Sequence, residues 1–272
     1  MAMDSQHQKL ISHNQYMTHR YGEKVHILSS PMMLSLLAKL GSPQTFQPQI
    51  NELVSLLYSH LMDEVADSLF PRTTVKMETR MSLAHPEASY EGEVINPSVP
   101  VVTVDLARAG TLPSQICYHK LNYLMNPEVV RQDHFYIARE CDESGKVIGA
   151  NISGSKIGGG VDGSIVLFPD PMGATGSTIV EVYNHYKKNV GGKPLIMAAI
   201  HLIVTPEYLR KVTHECPDLH VFSLRLDRGL SPEKILESVP GTYWDQEKGL
   251  NPHQYIVPGA GGLGEIMNNS YC

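Results

Sequence analysis

The sequence is poor in cysteine, has no long apolar run and lacks an excess of basic residues. Its four cysteines, Cys117, Cys141, Cys216 and Cys272, form no C-x-x-C pair. That spacing excludes a zinc ribbon, a thioredoxin-type redox motif and a small disulfide scaffold. It is typical of reduced, mostly buried thiols, so we expect a cytoplasmic protein without structural disulfides.

Charge and hydropathy exclude three further classes of protein. The longest charge-free apolar stretches, residues 25–38 and 194–206, are too short to span a bilayer. The N-terminal residues also contain no apolar core of a signal peptide. The 22 basic and 28 acidic residues give a formal charge of −6, whereas a protein that coats nucleic acid carries a basic excess. We therefore expect neither a membrane nor a nucleic-acid partner, and any bound anion must be small and held by a local group of amides and a few cations.

Apolar runs that alternate with amphipathic helices predict the fold. The strand-like runs occupy residues 99–106, 164–168, 194–204 and 219–226, and the helical patterns occupy residues 113–124, 175–188 and 206–216. This order indicates βαβ crossovers and a single α/β domain with a mainly parallel central sheet flanked by helices. Because such sheets bind ligands at the carboxyl ends of their strands, the loops that follow strands are the candidate site.

The boundaries of this domain follow from composition. Polar residues 1–24 predict a flexible or late-docking N-terminal arm, and residues 25–272 form the predicted domain.

Residues 48–69 show an apolar stripe at steps of three and four, which predicts a helix that packs in the core or against a partner. The glycine-rich stretch 139–163 is typical of a loop. The 13 histidines show no metal-ligand spacing, so we expect no metal bound by protein side chains alone.

Two glycine motifs fail as nucleotide-binding signatures. Residues 259–264 match G-x-G-x-x-G, but only eight residues follow, which is too few for the helix, strand and acidic residue of a dinucleotide fold. Residues 149–156 nearly match a phosphate-binding P-loop, but the lysine is one position late and no strand directly precedes it. We interpret the second segment as part of the flexible loop.

A third motif has the local order that phosphate binding requires. Residues 164–170 form a strand that ends in Asp170, a loop of small residues follows, and a helix begins near Thr178. That order gathers backbone amides and hydroxyls at the positive end of a helix dipole, which suits a single phosphate monoester. An ordinary strand-to-helix turn with a capping Thr or Ser is the alternative.

Four segments of the chain resemble the uracil phosphoribosyltransferases, a branch of the type I phosphoribosyltransferases. Residues 170–178, DPMGATGST, resemble the family's loop for phosphoribosyl pyrophosphate (PRPP), and residues 107–110, ARAG, resemble its LRAG segment. Residues 139–143, RECDE, resemble the start of its mobile loop, and residues 255–259, YIVPG, resemble its C-terminal segment. The resemblance implies the type I fold, with an N-terminal helical extension and a C-terminal hood that binds the base.

The resemblance also implies roles for individual residues. Arg108 and Arg139 would face the pyrophosphate of PRPP, and Asp170 would contact the ribose hydroxyls. These three residues would be catalytic, and the two arginines would act as fixed cations that stabilise charge developing on the leaving group. The PRPP-binding residues would be Arg108, Arg139, Asp170, Pro171, Met172, Gly173, Ala174, Thr175, Gly176, Ser177, Thr178 and Gly262. The uracil-binding residues would be Ile256, Gly261, Gly262 and Leu263.

The reaction implied is the transfer of the phosphoribosyl group from PRPP to uracil, which gives UMP and pyrophosphate. Mg²⁺ bound through the pyrophosphate is the expected cofactor, and a homodimer or higher homo-oligomer is the expected assembly.

Three departures from the family pattern leave alternatives open. Of two acids that the family carries near its C-terminal end, the first is Gly262 here and the second is Glu265, and the usual second glycine of the PRPP loop is Ser177. Residues 231–250 form an insertion that contains Trp244 and would lie near the base pocket. A non-catalytic PRPP- or nucleotide-binding module, or a phosphoribosyltransferase for another base, are the alternatives.

Overall fold

Two helices begin where local sequence signals place them. The fold was obtained as a computed structural model that describes residues 16–141 and 147–270, with the side chains of residues 138–150 outside the description. Helix α1 (Pro31–Leu40) starts with proline after Ser30, whose side chain accepts the Met33 N–H. Helix α5 (Pro206–Glu215) has the same start, since Thr205 accepts the Tyr208 N–H.

The remaining helices are three long ones, which the sequence patterns predict, and two of four residues each, which they do not. They are α2 (Gln49–Leu69), α3 (Thr111–Leu124), α4 (Ser177–Asn189), α6 (Glu233–Leu236) and α7 (Leu263–Ile266). The strands are β1 (Val25–Ile27), β2 (Arg72–Glu78), β3 (Ser89–Ile95), β4 (Val101–Ala107), β5 (Val130–Cys141), β6 (Val147–Lys156), β7 (Ile165–Pro169), β8 (Met172–Gly173), β9 (Ile196–Val204) and β10 (Leu219–Leu226).

The central sheet is mainly parallel, as predicted. Its strand order is β1-β10-β9-β7-β4-β5-β6, and the short β8 also pairs with β9. Every pairing in this sheet is parallel except that of β5 with β6. Strands β2 and β3 form a separate antiparallel pair. Since β4 and β7 are neighbours, the loops that follow them meet at one edge of the sheet.

The apolar stripe of α2 lies in the core. Ile50, Leu53, Leu57 and Leu61 are all buried, and α2 packs against α3, β9 and β10. Burial of each such side chain contributes about 2 kcal/mol. Tyr58 on the same helix donates its hydroxyl to the Ile200 carbonyl (3.0 Å), so α2 supports the strand beneath the candidate site.

The loop prediction for residues 139–163 is wrong over much of its length. Residues 147–156 are strand β6, and β5 extends to Cys141 beside it. Strand β6 lies at an edge of the sheet, where backbone pairing on one side does not require an alternating apolar pattern. The extended backbone of residues 149–156 is no phosphate-binding loop.

The described part of the N-terminal segment, residues 16–24, is docked on the domain. Tyr16 forms a β-bridge with Leu28, and the Arg20 N–H donates to the Pro240 carbonyl (2.8 Å). Tyr21 is 2 % exposed and donates its hydroxyl to Glu247. Docking, one of the two behaviours left open by the sequence, is what the structure shows here.

Residues 231–250 fold around a buried ion pair, and the last two of them pair with residues 256–257 of the C-terminal segment. Arg228 pairs with Glu247 (3.0 Å) and donates to three carbonyls of the segment, those of Ile235, Leu236 and Ser238. Trp244 donates its Nε1–H to the Pro206 carbonyl (3.0 Å). The segment therefore packs on the N-terminal residues and the start of α5.

The structure describes two of the four cysteine side chains. Cys117 and Cys216 are buried free thiols, and burial raises the pKa of each to about 12. Within residues 16–141 and 147–270, no helix is both long and apolar enough to cross a membrane. Cys141 and Cys272 lie outside the described side chains.

Candidate functional site

A cavity of about 880 Å³ opens at the carboxyl ends of β4 and β7. Its walls come from the loops after these two strands, from β5 and β6, from α5 and from the C-terminal segment. The lining residues are Leu106, Ala107, Arg108, Ala109, Tyr136, Ile137, Ser153, Asp170, Met172, Ala174, Thr175, Gly176, Ser177, Thr178, Ile179, Tyr208, Gln254, Tyr255, Ile256, Gly261, Gly262, Leu263, Gly264 and Glu265. This is the location that a mainly parallel sheet predicts for a ligand.

The loop before α4 presents amides and hydroxyls to the cavity. Gly176 caps the helix with φ +82°, a left-handed conformation that favours glycine. Thr175 Oγ1 accepts the Ser177 N–H (3.4 Å), and Thr205 Oγ1 donates to the Ala174 carbonyl (2.7 Å). The first N–H groups of α4 and the positive end of its dipole therefore point toward the same part of the cavity.

A lysine from the next helix reaches this loop. Lys211 on α5 donates its ammonium to Ser177 Oγ (2.8 Å). Within the described side chains, no carboxylate lies within 4 Å of the Lys211 ammonium. A cation beside the positive end of α4 is electrostatically unfavourable unless an anion joins them, so the arrangement is suited to a phosphate group.

A buried hydrogen-bond chain positions Asp170. The Asp170 N–H donates to the Ile200 carbonyl (3.0 Å), and His201 Nδ1 donates to the Asp170 carbonyl (2.5 Å). His201 Nε2 then accepts the hydroxyl of Tyr208 (2.6 Å), which itself lines the cavity. His201 is fully buried, and this burial lowers its pKa to about 4, so the ring is neutral at pH 7.

Because His201 is neutral in the folded protein, the free energy of unfolding should fall at acid pH. In the folded protein the pKa of His201 is about 4, below its ordinary value. Between these two values of pH the unfolded chain binds a proton at this histidine and the folded protein does not. The stability that this group contributes is complete above about pH 6.5 and declines toward pH 4, with about 2–3 kcal/mol lost by pH 4.5. We expect urea unfolding to show that decline in the wild type.

A His201→Asn variant tests this dependence, because its amide can keep the bond to Asp170 but cannot titrate. The difference in unfolding free energy between pH 7.5 and pH 4.5 should shrink by about 2 kcal/mol in this variant. A control variant of the exposed His253 should retain the full difference. An equal pH difference in the wild type and His201→Asn would contradict the assignment.

Arg108 enters the cavity from the loop after β4. Its Nη1 donates to the Ser270 carbonyl (3.0 Å) and to Ser270 Oγ (2.7 Å), so the C-terminal residues help to hold the guanidinium. The peptide bond between Ala107 and Arg108 is cis. The side chain is exposed, and it therefore supplies an accessible cation at the rim of the cavity.

The C-terminal segment of residues 249–265, which we call the C-terminal hood, is held by a buried carboxylate. Asp227 is 2 % exposed, pairs with Arg225 (2.6 Å) and accepts the Gly259 N–H (2.7 Å). Arg225 also donates to the Gly259 carbonyl (3.0 Å), and Glu207 accepts the Gly249 N–H (3.0 Å). These bonds fix the backbone that carries residues 254–256 and 261–265 into the cavity wall.

Most of the residues proposed from the sequence meet in this one cavity. Arg108, Asp170, Met172, residues 174–178, Ile256 and residues 261–263 all line it. Pro171 and Gly173 do not, because they are buried beneath the loop, where their carbonyls accept N–H groups of β9 and Thr205. The side chain of Arg139 lies outside the described residues.

Several residues of the site were missed by sequence reasoning. Lys211 and His201 carry no motif, since each reaches the loop from a different element. Arg225 and Asp227 could have been found, because an Arg-x-Asp pattern at the carboxyl end of a buried strand suggests a paired acid at the sheet edge.

The cavity also offers oxygen ligands of the kind that Mg²⁺ prefers. Within the described residues, no group of three or more His, Cys, Asp or Glu side chains could hold a metal by itself. Asp170 and Glu265 nevertheless both line the cavity. One or two carboxylates fit an ion that arrives with most of its oxygen ligands supplied by a phosphorylated substrate.

The mainly parallel sheet and the cavity at the carboxyl ends of its strands define an α/β protein with a candidate small-molecule site. A sequence model described as uracil phosphoribosyltransferase matches residues 27–245. The chain belongs to the uracil phosphoribosyltransferase family.

Individual relatives are similar in sequence, and one solved structure is similar in fold. A uracil phosphoribosyltransferase of an Exiguobacterium species is 26 % identical over 247 residues, which cover 90 % of this chain and 97 % of the relative. That of Mycoplasma genitalium is 25 % identical over 245 residues, 87 % of this chain and 94 % of the relative. The solved structure of the AQ2163 protein from Aquifex aeolicus is similar in fold, with a TM-score of 0.66 at 20 % identity over 90 % of this chain and 97 % of that one.

Proposed function

We propose that this protein transfers the phosphoribosyl group of PRPP to uracil, giving UMP and pyrophosphate. The observation that carries the proposal is that the phosphate-type loop, Arg108 and the C-terminal hood line one cavity. Membership of the family and the activity named for the relatives above support it. In this proposal the predicted domain of residues 25–272 is the catalytic unit.

In the proposed complex, each part of PRPP occupies a different part of the cavity. The amides and hydroxyls of residues 174–178 hold the 5-phosphate, and the buried Pro171 and Gly173 keep that loop on the sheet. Asp170 accepts hydrogen bonds from the ribose hydroxyls. Arg108 faces the pyrophosphate, where its planar guanidinium can bind two oxygens at once. Arg139 has the same proposed role, which stays a prediction.

Transfer then requires positioning and charge stabilisation. The bond between the anomeric carbon and pyrophosphate breaks and its electron pair leaves with the pyrophosphate. The N1 atom of uracil forms the new bond, and its proton passes to the released pyrophosphate. Arg108 stabilises the negative charge that develops on the leaving group. Mg²⁺, when bound to the pyrophosphate oxygens, neutralises part of the same charge. Backbone groups of Ile256 and residues 261–263 hold the polar edge of uracil in line for attack.

The proposal also predicts an effect at Lys211, which lies outside the family motifs. We expect Lys211→Met to raise the KM for PRPP about tenfold, because it removes one charge-assisted bond to the 5-phosphate, with kcat changed less than twofold. Steady-state kinetics with varied PRPP at saturating uracil measure both constants.

Two matched variants control for the loss of a positive charge. Lys211→Arg should keep the KM within about threefold, since it keeps a cation on the same helix. Lys188→Met, at the far end of α4, should leave it unchanged. A Lys211→Met enzyme with the wild-type KM would show that the ammonium does not reach the phosphate.

A panel of free bases tests the proposed substrate. Purified protein with PRPP and Mg²⁺ should consume uracil in preference to cytosine, adenine and hypoxanthine. Residues 231–250, which suggested another base, do not line the cavity. Turnover of a different base, with uracil inert, would contradict the proposal.

A non-catalytic PRPP-binding module is the second candidate, and Gly262 is the observation that favours it. Calorimetry separates the two, because a binding module would release heat with PRPP or UMP and yet form no product with any base. A homo-oligomeric assembly and a cytoplasmic location complete the proposal; both stay predictions.

A further inference from the structure

The side chain of Glu265 lies across Gly262 in the wall of the cavity. An ideal Cβ atom on Gly262 would overlap Oε2 of Glu265, so the carboxylate occupies the space that a side chain at position 262 would fill. The first turn of α7 produces this arrangement, since the N–H groups of Glu265 and Ile266 both donate to the Gly262 carbonyl (3.0 Å each).

The backbone at position 262 does not itself require glycine. Its φ of −80° and ψ of 81° lie in a region that residues with side chains adopt. What glycine provides at this position is room for the Glu265 carboxylate. Residues 262 and 265 are therefore coupled, and only one acid can occupy this point of the cavity wall.

The Glu265 carboxylate forms no ion pair with the side chains that the structure describes. Among the described residues, no Lys, Arg or His nitrogen lies within 4 Å of it. The side chain is half-buried and lines the same cavity as Asp170 and Arg108. An anion in such a place is compensated when a ligand brings a cation or hydrogen-bond donors to it.

We infer that Glu265 is a ligand-binding residue that supplies the carboxylate missing at position 262 and binds PRPP in its Mg²⁺-loaded form. The inference rests on the proposed function. Metal-free PRPP carries several negative charges and would be repelled by this carboxylate, whereas the Mg²⁺ complex presents a cation to it. Glu265 should therefore make PRPP affinity dependent on Mg²⁺, an effect that a merely structural side chain would not have.

Calorimetric titration with PRPP, once with Mg²⁺ and once with a chelator, measures this dependence. Glu265→Gln keeps the shape of the side chain and removes its charge. We expect it to bind PRPP about tenfold more weakly than the wild type with Mg²⁺, and no more weakly than the wild type without it. Glu237→Gln, an exposed glutamate of the segment 231–250, is the matched control and should behave as the wild type.

A swap of the acid between the two positions gives the sharpest comparison. Gly262→Asp combined with Glu265→Ala should recover the affinity for Mg²⁺-loaded PRPP to within about threefold of the wild type. Gly262→Ala alone should match Glu265→Gln, because the added methyl group displaces the carboxylate. Thermal unfolding of each variant verifies that it is folded, and if the swap variant does not fold, Glu265→Gln decides alone.

The outcomes separate this inference from the proposed function. A wild type that binds no PRPP in either condition overturns the proposed function. If the wild type binds PRPP and Glu265→Gln binds it with the same affinity, the inference is overturned and the proposed function is not. Equal weakening of Glu265→Gln with and without Mg²⁺, or a folded swap variant no better than Glu265→Gln, overturns it as well.

Discussion

A Thr175→Asp variant is expected to lose about a thousandfold in kcat/KM for PRPP, which corresponds to about 4 kcal/mol of transition-state binding. The substitution places a carboxylate where the 5-phosphate must bind, so two anions would share one group of amides. Stability should not fall, because an acid before α4 can accept the Ser177 N–H as Thr175 does and interacts favourably with the helix dipole. Initial rates of UMP formation and thermal unfolding measure the two effects.

Thr175→Ser is the control for this loop. It keeps the hydroxyl and the bond to the Ser177 N–H, so its kcat/KM should remain within about threefold of the wild type. If Thr175→Asp retained more than a tenth of the wild-type activity, the 5-phosphate would not bind at residues 174–178.

The second large effect is expected at Arg108. Arg108→Ala should reduce kcat about a hundredfold or more, because it removes a fixed cation that stabilises charge on the departing pyrophosphate. Arg108→Lys should recover only part of that loss, since an ammonium cannot bind two oxygens in a plane. Single-turnover measurements with PRPP and uracil report the chemical step.

The bonds from Arg108 to Ser270 provide the matching control. Ser270→Ala removes the hydroxyl partner but leaves the carbonyl bond, so kcat should fall less than about threefold. Arg108→Ala should unfold at the wild-type temperature, because the side chain is exposed. A variant without Arg108 that forms UMP at the wild-type rate would contradict the leaving-group role.

The mainly parallel sheet and the phosphate-type loop could be predicted from the sequence. Both depend on local signals, since an apolar run, a short loop of small residues and a helix start are continuous in residues 164–178. The apolar stripe of α2 could also be predicted, because its period of three to four residues places the apolar side chains on one face of the helix. Fold and loop are thus encoded within short windows of the chain.

Features that depend on long-range contacts could not be predicted. Strand β6 is an edge strand that pairs through its backbone, so glycines and serines in residues 149–156 indicated a loop instead. The position of residues 231–250 depends on contacts with distant segments, among them the ion pair of Arg228 with Glu247 and the bond from Trp244 to the Pro206 carbonyl. The contacts of Lys211 with Ser177 and of Glu265 with Gly262 arise only when separate segments meet.

The geometry of the bound ligand tests the central claim most directly, namely that one cavity holds the phosphate at its α4 end and the base at its C-terminal hood. A crystal structure with UMP should place the phosphate on the amides of residues 174–178. It should also place the polar edge of uracil on backbone groups of Ile256 and residues 261–263. UMP bound outside this cavity, or within it with the phosphate away from α4, would contradict the account.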